Sequence, residues 1–153
     1  TDYLRPVRIV EYKPEHLHDL MDGPLNDGAV KNIGYMREWA GELQQPGWSY
    51  TLIQNGHIIC CAGIVDMWPG VGEAWFIASN KIHENARPFI KFAKTDVMQK
   101  VIDENGLWRV QAVCKEDWPA ALKFARFMGF EPEGVMRKYG PEGMDYIRVA
   151  WVR

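Results

Sequence analysis

A mixed α/β sheet with helices on its faces is the fold class that this 153-residue sequence predicts, and three observations predict it. Apolar residues switch between period 2 and a helical period along the chain, in the order strand, two helices, three strands, helix, strand, helix, two strands. Two apolar runs meet at Asn55-Gly56, the strongest short hairpin signal in the sequence. A long helical pattern opens at Arg87-Pro88 and stops at Asn105-Gly106, with a strand on either side. Seven strands and four helices are expected.

Each element has its own signal. Val7–Lys13 alternates as a first strand, and Pro14-Glu15 opens a short helix carrying Leu17, Leu20 and Met21. Asp22–Gly28 is turn-rich. Lys31–Leu43 reads as a second helix, with Ile33, Met36, Trp39, Ala40 and Leu43 at helical spacing, ended by Pro46-Gly47. Trp48–Gln54 and His57–Trp68 are the hairpin strands, and Gly72–Ser79 follows after a turn at Pro69–Gly72. In the long helix Phe89, Ala93, Val97 and Val101 recur every fourth residue. Trp108–Cys114 is the fifth strand and Trp118–Met128 the fourth helix. Phe130–Lys138 and Asp145–Val152 close the chain around Gly140-Pro141-Glu142-Gly143. There is no internal repeat, low-complexity tract or linker, so one domain over residues 1–153 is expected.

Composition narrows the class. Apolar residues make up 47% and charged residues 25%, which is globular and not disordered. Net charge is −2 with neither sign in a block, which argues against nucleic acid as a partner. Thr1–Val10 has no signal-peptide pattern, and the longest apolar stretch, Ile58–Val65, has only strand length, so no membrane role and a cytoplasmic location are expected. Cys60, Cys61 and Cys114 lack metal spacing and read as buried small residues in a reducing compartment. His16, His18, His57 and His83 are scattered, form no metal pattern and default to the surface. Trp39, Trp75, Trp108 and Trp151 fit core positions, whereas Trp48, Trp68 and Trp118 sit at element ends.

The element order, taken with Gly129-Phe130-Glu131-Pro132-Glu133-Gly134-Val135-Met136-Arg137, resembles the GNAT superfamily of acyl-CoA-dependent N-acetyltransferases. The glycine-phenylalanine, acidic-glycine and arginine pattern is most similar to the branch that acetylates protein N-termini. Gly72–Ser79, followed by a helix without a glycine loop, resembles the GNAT-like proteins of short-tailed bacteriophages. What the resemblance implies is a fourth strand that splays from the fifth. Its free backbone groups would bind the pantetheine arm of acetyl-CoA and polarise the thioester, with Phe76, Ile77 and Ala78 in that position. A backbone N–H aimed at the oxyanion is worth roughly 3 kcal/mol in such sites. Phe124 is placed with the cofactor as well.

The resemblance places a pyrophosphate loop on Lys81-Ile82-His83-Glu84-Asn85-Ala86, and here the sequence departs from the family. Glu84 stands where a glycine lets amides approach the phosphates. Lys81, Asn85, Ala86 and Arg87 are the expected phosphate-binding residues of this degenerate loop; an ordinary strand-to-helix loop without a ligand is the other reading. Glu73, near the start of the fourth strand and followed by Ala74-Trp75-Phe76, is the candidate general base. A solvent-facing strand carboxylate is its plain alternative, and Asp66 is the reserve. The tyrosine that many members place four residues before the Gly-Phe is Ala125 here, so Tyr139 and Tyr146 are the substitute candidates for general acid, with water as the other source of the proton.

The expected activity is acetyl transfer from acetyl-CoA to a primary amine of a small molecule or, on the similarity at Gly129–Arg137, a protein, by a monomer or homodimer with no metal. The alternative is a phage-type protein of the same fold, in the host cytoplasm, that binds a host or virion protein without turnover. A CoA-binding module lies between the two.

Overall fold

The computed structural model describes residues 7–23, 40–80 and 86–153. The strands are β1 (Val7–Glu11), β2 (Ser49–Gln54), β3 (His57–Trp68), β4 (Val71–Ala78), β5 (Arg109–Lys115), β6 (Glu131–Met136) and β7 (Tyr146–Val152). Helix α1 (Pro14–Met21) has proline in its first turn, where the missing N–H is not needed. Helix α2 is α-helical over Ala86–Lys91, π-helical over Phe92–Gln99 and α-helical again over Lys100–Asn105. Gly106 ends it in the left-handed region at φ 60°, as the Asn-Gly pair predicts. Helix α3 is Pro119–Phe127.

The seven strands form one sheet in the order β1-β2-β3-β4-β5-β7-β6. Every pairing is antiparallel except β4 with β5. At the β2–β3 hairpin Asn55 and Gly56 take φ 56° and 76°, the two positive values that a tight hairpin turn demands. Residues 40–43 form a turn and not the end of the expected second helix; the rest of that helix, Lys31–Trp39, lies outside the described residues.

Period-2 alternation divides the core between two faces. One face packs under α2 and α3 around Leu52, Ile59, Cys60, Phe92, Val101, Val110, Phe130 and Val149. The other packs under α1 around Tyr12, Leu17, Leu20, Ala40, Leu43, Cys61 and Ile77. Adjacent Cys60 and Cys61 are both buried and point to opposite faces, as their places in a strand require. The α1-side cluster draws no residue from β5, β6 or β7.

Trp108 does not take the core position expected of it. It is 55% exposed and lies over Gly70, where a Cβ would fall 2.1 Å from the indole ring. It stands one residue before β5, and its N–H bonds the Gly70 carbonyl, so it caps the end of the sheet. Gly70 is left-handed at φ 88° and meets this ring, so it has two reasons to be glycine.

Candidate active site

The parallel pairing of β4 with β5 lasts three rungs, Val71 with Arg109, Gly72 with Val110 and Glu73 with Gln111. Beyond Glu73 the two strands are not paired with each other. On its other edge β4 stays in register with β3 from Gly72 to Ala78. The Ser79 N–H bonds the Ile59 carbonyl at 2.9 Å, and antiparallel alternation then turns residues 73, 75 and 77 towards β3. Residues 74, 76 and 78 turn the other way, so the backbone N–H and C=O of Phe76 and Ala78 face the gap. The Ile77 amide is committed to β3 opposite Cys61, and its side chain belongs to the α1-side core. Of the three backbone positions expected at the splay, Phe76 and Ala78 turn groups to the gap that no strand among the described residues pairs, and Ile77 does not.

On the α2 and α3 side the gap is lined by rings. Phe76 of β4, Phe89 of α2 and Phe124 of α3 meet with centroids 4.9 to 5.3 Å apart. Ala125 is buried behind Phe124. Ala86 is the first residue of α2, and Arg87 beside it is exposed. Lys81, His83, Glu84 and Asn85 lie outside the described residues.

The opposite side of the same strands is polar. Glu73 sits on the last paired rung, half-buried, and accepts from Arg148 of β7, whose Nη1 lies 2.9 Å from both carboxylate oxygens. Beside this pair Arg109 donates from Nη1 and Nη2 to Glu133 at 3.0 and 2.6 Å, and from Nε to Gln111 at 3.0 Å. The carboxylate of Glu133 raises the Arg109 pKa, and that guanidinium lowers the pKa of Glu133. Lys115, the last residue of β5, is buried, with Nζ 3.3 Å from Asp117 Oδ1. Tyr139 is half-exposed on the β6–β7 loop, edge-on to buried Tyr146 at 5.4 Å; Asp66 lies near the end of β3, opposite Gly72.

Closer to α1 the polar groups are enclosed. The His16 ring accepts at Nδ1 from the Lys13 N–H at 3.1 Å and lies 2.8 Å from Thr51 Oγ1, so it is half-buried and not a surface histidine. Burial lowers its pKa, Glu15 and Asp19 raise it, and Lys13 lowers it. Tyr12 donates to the Ala40 carbonyl at 2.8 Å, and burial raises its pKa. Trp75 packs edge-on against Tyr12. Burial pushes the Cys61 thiol up to about 12 and the Cys114 thiol up to about 11, and it raises Cys60 as well, so none is a poised thiolate nucleophile. Among the described residues no three His, Cys, Asp or Glu side chains converge as a metal site.

The structure therefore brings Glu73, Phe76, Ala78 and Phe124 to one splay, with Tyr139 on the loop after β6. Arg148, Gln111 and Phe89 belong to the same place and carry no sequence motif. A hint exists for Arg148: it is the only charged residue of β7, and a charge in a half-buried strand needs a partner.

No family model matches the sequence, and no curated protein matches it. Solved structures do. The ribosomal-protein-S18-alanine N-acetyltransferase of Escherichia coli aligns with a TM-score of 0.70 at 14% identity, over 96% of this chain and 94% of its own. RimL, the ribosomal L7/L12 α-N-protein acetyltransferase, in complex with coenzyme A, aligns with 0.71 at 13%, over 99% and 96%. A GNAT-family acetyltransferase of Bacillus anthracis aligns with 0.67 at 13%, over 95% and 94%. At such identities the likeness establishes the fold, which is that of the GNAT acetyltransferases.

Proposed function

We propose that this protein transfers an acetyl group from acetyl-CoA to a primary amine. The observation that carries this reading is the splay itself: past Glu73, β4 turns the amides of Phe76 and Ala78 into a gap lined by hydrocarbon. That pairing of free backbone donors with an apolar wall fits the amide-rich, otherwise apolar arm of coenzyme A. Phe76 and Ala78 would hold that arm and Phe124 would pack beside it. Ala86 and Arg87, with Lys81 and Asn85 ahead of them, would meet the phosphates at the start of α2. The thioester supplies an activated acyl group.

Glu73 lies at the mouth of the splay on the side away from those rings, where an amine can approach the acyl carbon. The amine nitrogen forms the new C–N bond, the C–S bond breaks and coenzyme A leaves as thiolate. Glu73 takes the proton that the nitrogen sheds, and Tyr139 is the candidate to protonate the thiolate. A protein amine is the acceptor class suggested by the likeness at Gly129–Arg137. Titration calorimetry with acetyl-CoA tests the reading: saturable heat, weakened in Ala78→Pro, which removes one splay N–H, is expected.

A second reading has its own observation. Phe76, Phe89 and Phe124 touch one another across the apolar side of the splay, and Ala125 has no proton to give. A protein of this fold that acts by binding a partner, without turnover, would tolerate both. Absence of heat or thermal shift at millimolar acetyl-CoA would favour it.

A further inference from the structure

We infer that the acceptor carries a carboxylate close to its amino group, recognised by Arg148 while Glu73 receives the ammonium. The inference rests on the transferase reading for the chemistry at the amine; the recognition rests on the contrast between two neighbouring arginines. A guanidinium presents five N–H donors in a planar fork. Arg109 uses all three of its nitrogens, two on Glu133 and one on Gln111. Arg148 uses one. Its Nη1 serves both oxygens of Glu73, and among the described residues Nη2 and Nε donate to nothing.

That unused edge is not sealed. Among the described residues Trp75 Nε1 is the one buried side-chain N or O atom without a partner, so the free edge of Arg148 meets solvent. Both side chains of the pair keep access, 21% for Arg148 and 27% for Glu73. Among the described residues the apolar cluster under α1 draws on nothing beyond β4 in the sheet order, so none of its members comes from β5, β7 or β6.

Charge then selects the acceptor. An ammonium with no carboxylate, docking on Glu73, is attracted by the nearer carboxylate but repelled by Arg148 just beyond it, so the neutral pair holds it only weakly. A carboxylate on the adjacent carbon adds an attraction of its own at Arg148. It docks side-on to Nε and Nη2, a bidentate mode that a planar guanidinium favours, while Nη1 keeps Glu73 in place. The zwitterion thus lies along one guanidinium with its nitrogen beside the carboxylate. A free α-amino acid has this chemistry, and a polypeptide whose first residue is aspartate has it with the carboxylate one carbon further from the nitrogen.

Acetyl transfer is measured by thiol release with two matched pairs: alanine against alaninamide, and a peptide beginning with Asp against the same peptide beginning with Asn. Rates are compared across pH to correct for the lower basicity of the amide. The carboxylate member of one pair is expected to exceed its neutral twin at least about tenfold in kcat/KM. Which pair responds identifies the source. Arg148→Gln should erase the preference through KM, and Arg148→Lys should keep part of it and serves if the first variant does not fold. Equal use of both members in both pairs, by a protein that does transfer acetyl groups, overturns the inference and leaves the transferase reading intact. If no amine is acetylated, that reading fails. Calorimetry with alanine, alaninamide and the two peptides then decides recognition: tighter binding of a carboxylate member, lost in Arg148→Gln, supports it, and no preference overturns it.

Discussion

The two faces of β4 differ in kind, although they belong to the same eight residues. Towards α2 and α3 the strand presents Ala74, Phe76 and Ala78 to an apolar cluster and closes with three rings. Towards α1 it presents Glu73, Trp75 and Ile77, among ion pairs and enclosed hydrogen bonds. On the proposed function, the difference gives the splay two separate tasks. A neutral wall with free amides suits a thioester arm, and a charged surface suits an amine that must lose a proton. One strand would serve both because its side chains alternate while its backbone lies between them.

The sharpest way to break this division is Glu73→Gln. If the polar face handles the amine alone, turnover should fall about 10²–10⁴-fold while acetyl-CoA affinity in calorimetry stays near wild type. Equal loss of both would mean that the two faces are not separate. The apolar face is tested through Phe92, fully buried at the start of the π segment. Phe92→Ala should cost about 3–5 kcal/mol in urea denaturation, because the cavity lies in a close-packed core.

Smaller effects are expected on the enclosed part of the polar face. Thr51→Val removes a hydroxyl set 2.8 Å from His16 Nδ1 and 3.5 Å from Cys61 Sγ. Nδ1 keeps the Lys13 N–H, so the loss should be only about 1 kcal/mol. The smallest expected effect is a pH dependence. Burial holds the folded-state pKa of His16 below its unfolded value, so the stability tied to the neutral ring is present above about 6.5 and lost as pH falls through the folded pKa. Melting temperature should therefore decline from neutrality towards about pH 5 more steeply in wild type than in His16→Gln. Parallel profiles would remove His16 from the account.

Much of the fold was legible in the residues, and the reasons are local. The β2–β3 hairpin was readable because Asn55-Gly56 tolerates two positive φ angles. The start of α1 was readable from Pro14, and the end of α2 from Asn105-Gly106. Trp108 was misplaced because its position looks apolar and strand-like; only the approach of Gly70 from the preceding turn gives the ring an exposed seat. His16 was misplaced because its partner Thr51 lies 35 residues away, on strand β2.

The sequence by itself determined the seven strands, their order along the chain and the alternation that puts Glu73 and Phe76 on opposite faces, since period, turn geometry and caps act over a few residues. Tertiary structure alone decided where β4 parts from β5, that the Ile77 amide belongs to β3, and that Glu73 meets Arg148, 75 residues away along the chain. It also decided that Arg109 has all three of its nitrogens engaged while Arg148, among the described residues, keeps an unused edge. These outcomes depend on register and on the number of donors that converge at one point. No stretch of sequence contains either, because both arise only when distant strands are laid side by side.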